Sequence, residues 1–229
     1  MAEEKHTFIV EKKCPVCGKV SRVVKTKARL IVEKTDEDFC VHYKGFNPNY
    51  YKIWVCEHCG YATDEKNFLK KMPDSTRETM QEFLQKRHVG FQFQEERGLP
   101  DAVAAFKLAI FYADYLKESI AHRAGLHLQI AWLFRESGEA EQEKAFMEKA
   151  AELYADSLSR ERYPIGNMTD NFVMFLIGAI YYRLKDYDKA TQYISRLMSD
   201  NEVRTNDRQT YDKARDLWQT IREEKEGKA

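Results

Sequence analysis

The sequence predicts an α+β protein, mainly α: a small β-rich module over residues 1–72, then an antiparallel helical domain over residues 73–229. Three observations predict it. Four of the five cysteines stand in two matched C-x-x-C-G motifs, Cys14-Pro15-Val16-Cys17-Gly18 and Cys56-Glu57-His58-Cys59-Gly60. Between them, apolar residues alternate with polar ones at the period of a strand. After Pro73 the apolar residues recur at helical spacing, and the breaks are short and rich in Gly, Pro, Asn and Asp.

The first elements are the cysteine pairs. A C-x-x-C turn brings two sulfurs to one point, and the glycine that follows accepts the left-handed backbone of so tight a turn. Two such tips in one module point to four thiolates, Cys14, Cys17, Cys56 and Cys59, closed around a structural ion. Zinc (Zn2+) is the expected metal, and iron accepts the same four sulfurs. The alternative is a pair of redox dithiols. A thioredoxin-type pair opens a helix in an α/β setting, and neither pair here has that context. A module this small has too little core to stand alone, so the ion is expected to supply on the order of 10 kcal/mol of its folding.

Residues 18–55, between the pairs, are long for a minimal ribbon and leave room for an inserted hairpin. Val20, Val24, Ala28, Leu30 and Val32 take alternate positions, with Lys25, Lys27 and Arg29 between them. That pattern predicts a strand with one basic solvent face. Gly45-Phe46-Asn47-Pro48-Asn49 supplies turn chemistry, and Tyr51–Val55 leads into the second knuckle as a strand. The module therefore reads as zinc-ribbon-like. Cys40 and His42 share a face if their segment is extended. They are open to three readings: a buried thiol beside a hydrogen-bonded imidazole, accessory metal ligands or groups bracing the main ones, or a reactive thiol with its base. His58 reads as surface, and Asp36-Glu37-Asp38, which resembles a cation-binding run, reads as a solvated loop.

The helical part opens at Pro73-Asp74-Ser75, where Ser75 and Glu78 fit a capping box. Breaks follow at 98–101, 137–139, 163–167 and 185–187. A small-aromatic-small pattern recurs through the helices. Gly90, Phe93, Ala102, Phe106 and Ala109 form one copy, and Gly178, Tyr181, Ala190, Ile194 and Leu197 another. Ala131, Phe134, Gly138, Met147 and Ala150 form a weaker copy, in which Glu143 replaces a small residue. This is tetratricopeptide-like, although the copies start at 90, 131 and 178 rather than about 34 residues apart. An ordinary helical bundle is the alternative and gives the same secondary structure. Residues 207–224, with Tyr211, Ala214, Leu217, Trp218 and Ile221 on one side, suit a C-terminal capping helix. In a stacked array, Arg87, Phe91, Trp132, Arg135, Phe175, Tyr182 and Arg183 line a concave face. Aromatic and arginine side chains together are the composition of a peptide-binding surface.

Composition narrows the function. Lys+Arg and Asp+Glu balance at 37 each in 229 residues, with 43% hydrophobic and 32% charged residues, so the chain reads as soluble and globular with no overall field. No stretch is apolar and long enough to span a bilayer, and the charged start shows no signal peptide. A reducing cytoplasm is the expected location. Walker loops, G-x-S-x-G and H-E-x-x-H motifs are absent from the sequence. The expectation is therefore a non-enzymatic adaptor that binds a protein segment. The alternative is nucleic-acid binding through Lys25, Lys27 and Arg29.

The cysteine knuckles, Asp36 through Tyr43, Gly45-Phe46-Asn47-Pro48 and Tyr51 to Ala62 together resemble the bacterial family of domain of unknown function 2225, over nearly the whole chain. The resemblance implies a cytoplasmic protein with a zinc-ribbon-like front and a tetratricopeptide-like rear, with Cys14, Cys17, Cys56 and Cys59 matching the family's knuckles. Glu57 stands where a knuckle often has proline. The resemblance implies no particular activity.

Overall fold

A computed structural model of the chain describes residues 5–86 and 95–227. Its elements are β1 (Thr7–Lys13), β2 (Val20–Thr26), β3 (Val32–Thr35), β4 (Val41–Tyr43), a short 3-10 helix (Pro48–Tyr51), β5 (Ile53–Val55) and β6 (Ala62–Asp64). The helices are α1 (Glu65–Leu69), α2 (Asp74–Gln85), α3 (Leu99–Tyr115), α4 (Ile120–Ser137), α5 (Ala140–Arg160), α6 (Asp170–Arg183), α7 (Tyr187–Met198), α8 (Asn201–Asn206) and α9 (Arg208–Lys225). The α+β, mainly α class is thus as the sequence predicts.

The strands form three separate pairs, β1–β2, β3–β4 and β5–β6. β1 and β2 run antiparallel from Thr7↔Thr26 to Lys13↔Val20, and β5 and β6 from Ile53↔Asp64 to Val55↔Ala62. The β1–β2 and β5–β6 ladders each close on a C-x-x-C turn, so these strands serve as stems for the knuckles.

The chain divides into two compact units: residues 1–34, 41–118 and 135–138 in one, and 35–40, 119–134 and 139–229 in the other. The expected boundary at 72/73 differs, because α2 and α3 fold with the strands. The small module closes its core against them. Tyr61 meets Tyr112 of α3 with ring centroids 5.6 Å apart, and Trp54 packs edge-on against Phe68 of α1 at 5.6 Å. Arg97 is buried there too, donating to the Ile53 carbonyl at 2.7 Å.

Two local expectations are corrected. The strand read over Val20–Val32 ends at Thr26, and the side chains it buries are Ser21, Val23 and Val24, with Val20 and Val32 exposed. Pairing with β1 sets this register; the apolar count alone did not. Helix α2 begins at Asp74 with Pro73 as its N-cap and no side-chain capping bond. Ser75 lies within the first turn, where its carbonyl accepts from the Thr79 hydroxyl at 2.9 Å.

In the helical unit, α6 packs on α5 and α7, and α9 on α7. Ala190, Ile194 and Leu197 of α7 are buried with Phe175 and Ala179 of α6 and Ala214, Leu217 and Ile221 of α9. Gly178 allows this approach: a Cβ there would stand 2.6 Å from Ile194 Cδ1. Side chains cap the helix starts, with Thr169, Asp186 and Asp207 accepting from Phe172, Lys189 and Thr210 amides. The start of α4 is capped from a distance. Glu161, at the end of α5, accepts from the Ile120 and Ala121 amides at 2.8 and 3.0 Å. Among the expected repeat residues, Gly90 and Phe93 lie outside the described residues, whereas Ala102, Phe106, Ala109, Ala131, Met147 and Ala150 are all buried.

Candidate metal centre

Both knuckles have the same backbone. The Cys14 amide donates to the Lys19 carbonyl at 2.9 Å and the Gly18 amide to the Cys14 carbonyl at 3.0 Å. The Cys56 and Gly60 amides repeat this toward Tyr61 and Cys56, both at 2.8 Å. Gly18 and Gly60 hold φ of 73° and 75°, the left-handed region that glycine enters without a steric penalty. The second knuckle is tied to β2 by three bonds. The Glu57 amide donates to Ser21 Oγ at 3.1 Å, Glu57 Oε1 accepts from the Arg22 amide at 2.9 Å, and His58 Nε2 lies 2.7 Å from the Val20 carbonyl. The first is braced by α2, whose Gln81 Nε2 donates to the Val16 carbonyl at 2.6 Å.

This scaffold brings the four sulfurs together. Cys14 Sγ lies 3.8 Å from Cys59 Sγ, Cys17 Sγ lies 3.7 Å from Cys56 Sγ, and all four sulfurs fall within 4.8 Å of one another. Sulfurs bound tetrahedrally at the usual zinc–thiolate distance of ~2.3 Å lie about 3.8 Å apart. All four cysteines are free thiols rather than disulfides, with Cys14 and Cys56 buried and Cys17 and Cys59 half-buried. Without a cation the cluster resists full ionisation. Hydrogen bonding with Cys56 pushes the Cys14 thiol up to about 12, and Cys14 likewise raises Cys59, while Cys56 is lowered by the hydrogen bond from Cys14. The Cys56 thiolate forms readily while Cys14 and Cys59 are held as thiols, an arrangement that a bound cation resolves. The donor set and the spacing both fit a four-thiolate ion.

Cys40 and His42 lie beside Asp36, with one ligand atom from each of the three within 4.8 Å of the others. The chain turns back at Phe39, φ 66°, where the Phe39 amide donates to the Asp36 carbonyl at 3.0 Å and the Asp36 amide to that of Cys40 at 2.9 Å. The reading of Asp36–Asp38 as a solvated loop holds for the exposed Glu37 and is corrected at Asp38. Asp38 is 2% exposed and accepts from Trp132 Nε1 at 3.0 Å.

The basic face is not assembled as expected. Lys25 lies on β2, paired with Glu65 at 2.6 Å and 5.8 Å from the Trp54 ring centroid, whereas Lys27 and Arg29 follow the end of that strand. Of the residues expected on a concave face, Arg87 and Phe91 lie outside the described residues. Phe175 is 3% exposed, in the helical core. The Tyr182 hydroxyl donates to Glu224 at 2.6 Å, and Arg183 Nε to Glu143 at 3.2 Å. Arg135 lies near the end of α4 and is half-buried. What sequence reasoning missed are groups whose partners are remote in the chain: Asp38, Arg97 and Glu161. A glycine inside α4, Gly125, was the one local signal of something unusual nearby.

The molecule is thus an α+β protein whose strand-borne knuckles gather a four-cysteine candidate metal centre. The chain belongs to the family described as an uncharacterized protein conserved in bacteria, domain of unknown function 2225, whose sequence profile matches residues 9–221. Comparison with curated proteins and with solved structures finds no match. Among the described residues, no helix is long and apolar enough to cross a membrane.

Proposed function

We propose that this protein is a metal-stabilised, non-enzymatic interaction protein that binds a protein segment on its helical surface. The observation that carries the reading is the closed sulfur cluster. Four thiolates at tetrahedral spacing fill the coordination sphere of zinc, so no position is left for water or substrate, and the ion's part is to hold the fold. Function then falls to surfaces. Tetratricopeptide-like packing is supported by the close approach of α6 and α7 at Gly178, but the expected concave face is largely spent on internal contacts. A better surface lies in the metal-bearing unit. Phe111 and Tyr115 of α3 are 43% and 40% exposed, with their rings 5.6 and 4.5 Å from that of Phe83. Exposed aromatic clusters of this kind are where binding energy concentrates.

The test is photo-crosslinking in cells from a reactive residue placed at the exposed position 107, one turn earlier on α3, with and without Phe111→Ser plus Tyr115→Ser in the same chain. A protein crosslink that the double variant loses, with metal content and circular dichroism unchanged, supports the reading. Crosslinks to nucleic acid alone, or none to protein, overturn it.

A further inference from the structure

We propose that the tip of the β3–β4 hairpin is a second metal site, in which Asp36, Cys40 and His42 hold a divalent ion of the zinc class and leave one coordination position open to water. The three supply a carboxylate, a thiolate and an imidazole, and one ligand atom from each lies within 4.8 Å of the other two. Some point is therefore within about 2.8 Å of all three, against bonds of ~2.0–2.3 Å from zinc to oxygen, nitrogen and sulfur. Closing onto an ion takes side-chain shifts of under ~1 Å. The donor set differs in kind from the four-sulfur cluster. Three protein ligands of mixed type leave the fourth corner of a tetrahedron to water, whereas four thiolates fill it. Asp38 is not in the set: its two oxygens already accept from the Cys40 amide at 3.4 Å and from the Trp132 indole N–H at 3.0 Å.

The set comes from one continuous segment with the spacing D-x-x-x-C-x-H. Cys40 and His42 are two apart and share a face of the extended chain as it enters β4. Asp36 is brought to them by the turn between. The Phe39 amide donates to the Asp36 carbonyl at 3.0 Å, and the Asp36 amide to the Cys40 carbonyl at 2.9 Å. This turn holds Phe39 at φ 66°, a strained setting for an aromatic residue. The ladder below does little to offset the strain. All four residues of β3 are exposed, and a two-stranded ladder on its own is marginal in water. An ion at the tip ties the two strands together where the turn is strained. Burial separates this reading from a reactive thiol with its base. Cys40 has no exposed surface, so a substrate does not meet its sulfur, whereas the half-buried Asp36 and His42 leave an ion a way in. Hydrogen bonding within the trio is the alternative that needs no ion, and a spectroscopic signature of the sulfur tells the two apart.

The experiment is titration of the intact protein, loaded first with one equivalent of zinc, with Co2+ followed by absorption. The four soft thiolates select zinc over cobalt and keep it. One further equivalent of Co2+ is expected to bind, with the visible bands of a four- or five-coordinate ion and a near-ultraviolet charge-transfer band from a single thiolate. Cys40→Ser is expected to remove the thiolate band. His42→Ala and Asp36→Asn, at half-buried positions, should each weaken binding of the Co2+ by at least about tenfold, with the first zinc and the circular dichroism as in the wild type. The proposal is overturned if no Co2+ binds beyond the zinc at about 1 mM, if the thiolate band is missing or survives Cys40→Ser, or if folded His42→Ala or Asp36→Asn binds the Co2+ as the wild type does. Such a failure leaves the four-sulfur centre and the aromatic surface of α3 untouched, since neither depends on this site.

Discussion

Cys14 and Cys56 are buried, whereas Cys17 and Cys59 are half-buried, so each knuckle offers one sheltered sulfur and one that water can approach. A serine at a sheltered position leaves a poor ligand that water cannot replace. Cys56→Ser is therefore expected to lower metal affinity by at least ~100-fold and to lose the aromatic circular dichroism of the metal-bearing unit. Cys59→Ser should keep weak, exchangeable metal, and elemental analysis after gel filtration separates the two. A second residue-level case is Glu161. Burial opposes its charge, but the Ser157 hydroxyl and the Ala121 and Ile120 amides outweigh burial and hold its carboxyl below the ordinary value. A carboxylate with a lowered folded pKa stabilises above its unfolded pKa and loses that contribution as pH falls through the folded value. Glu161→Gln should thus cost about 1 kcal/mol at neutral pH, with the gap to wild type closing in denaturant melts below about pH 4. The cysteines were legible in the sequence because a knuckle is a five-residue event with its glycine in place. Glu161 was not, because the amides it caps lie some 40 residues earlier in the chain.

Between elements, legibility depended on whether the deciding contact was local. The breaks at Gly138 and Lys185 were readable from composition, and both residues take positive φ, 78° and 61°. The strand after the first knuckle was misjudged in length because only its partner β1 shows where pairing stops, at Thr7↔Thr26. The capping box at Ser75 failed because Pro73 already fixes the entry into α2. The small residue at 178 was read correctly as a site of helix approach, and its contact with Ile194 gives a sharp test. Alanine is the better helix former by ~1 kcal/mol, so on propensity alone Gly178→Ala should stabilise. A Cβ 2.6 Å from Ile194 Cδ1 reverses that expectation. Overpacking of this kind costs about 1–3 kcal/mol, so a net loss is expected in thermal melts. Gly178→Ala combined with Ile194→Val, which removes the clashing methyl, should recover part of it. Equal destabilisation by the single and double variants would mean that the packing at this crossing is not what limits the site.

At the scale of the whole molecule, two kinds of structure were legible in the sequence, but the line that divides them was not. Composition changes at Pro73, yet the contact units recruit α2 and α3 to the strands and residues 35–40 to the later helices. A module held by one ion cannot close a core from three two-stranded ladders, so it borrows Phe106 and Tyr112 from α3. That borrowing makes metal removal reach well beyond the knuckles. Chelation should unfold not only residues 5–34 and 41–66 but also α2 and α3, because the face they bury belongs to the metal-bearing core. Helices α5 to α9 bury their apolar faces among residues of the other unit, in clusters around Ile177 and Ile194, and should persist. The expected record is a two-step thermal melt, in which chelator shifts the first step down strongly and leaves the second nearly in place. Hydrogen exchange should show protection lost at Ala102–Ala113 but kept at Val173–Ile180. If chelation leaves α3 protected, the ion is not what holds that unit together. If both steps fall together, the two units fold as one cooperative body.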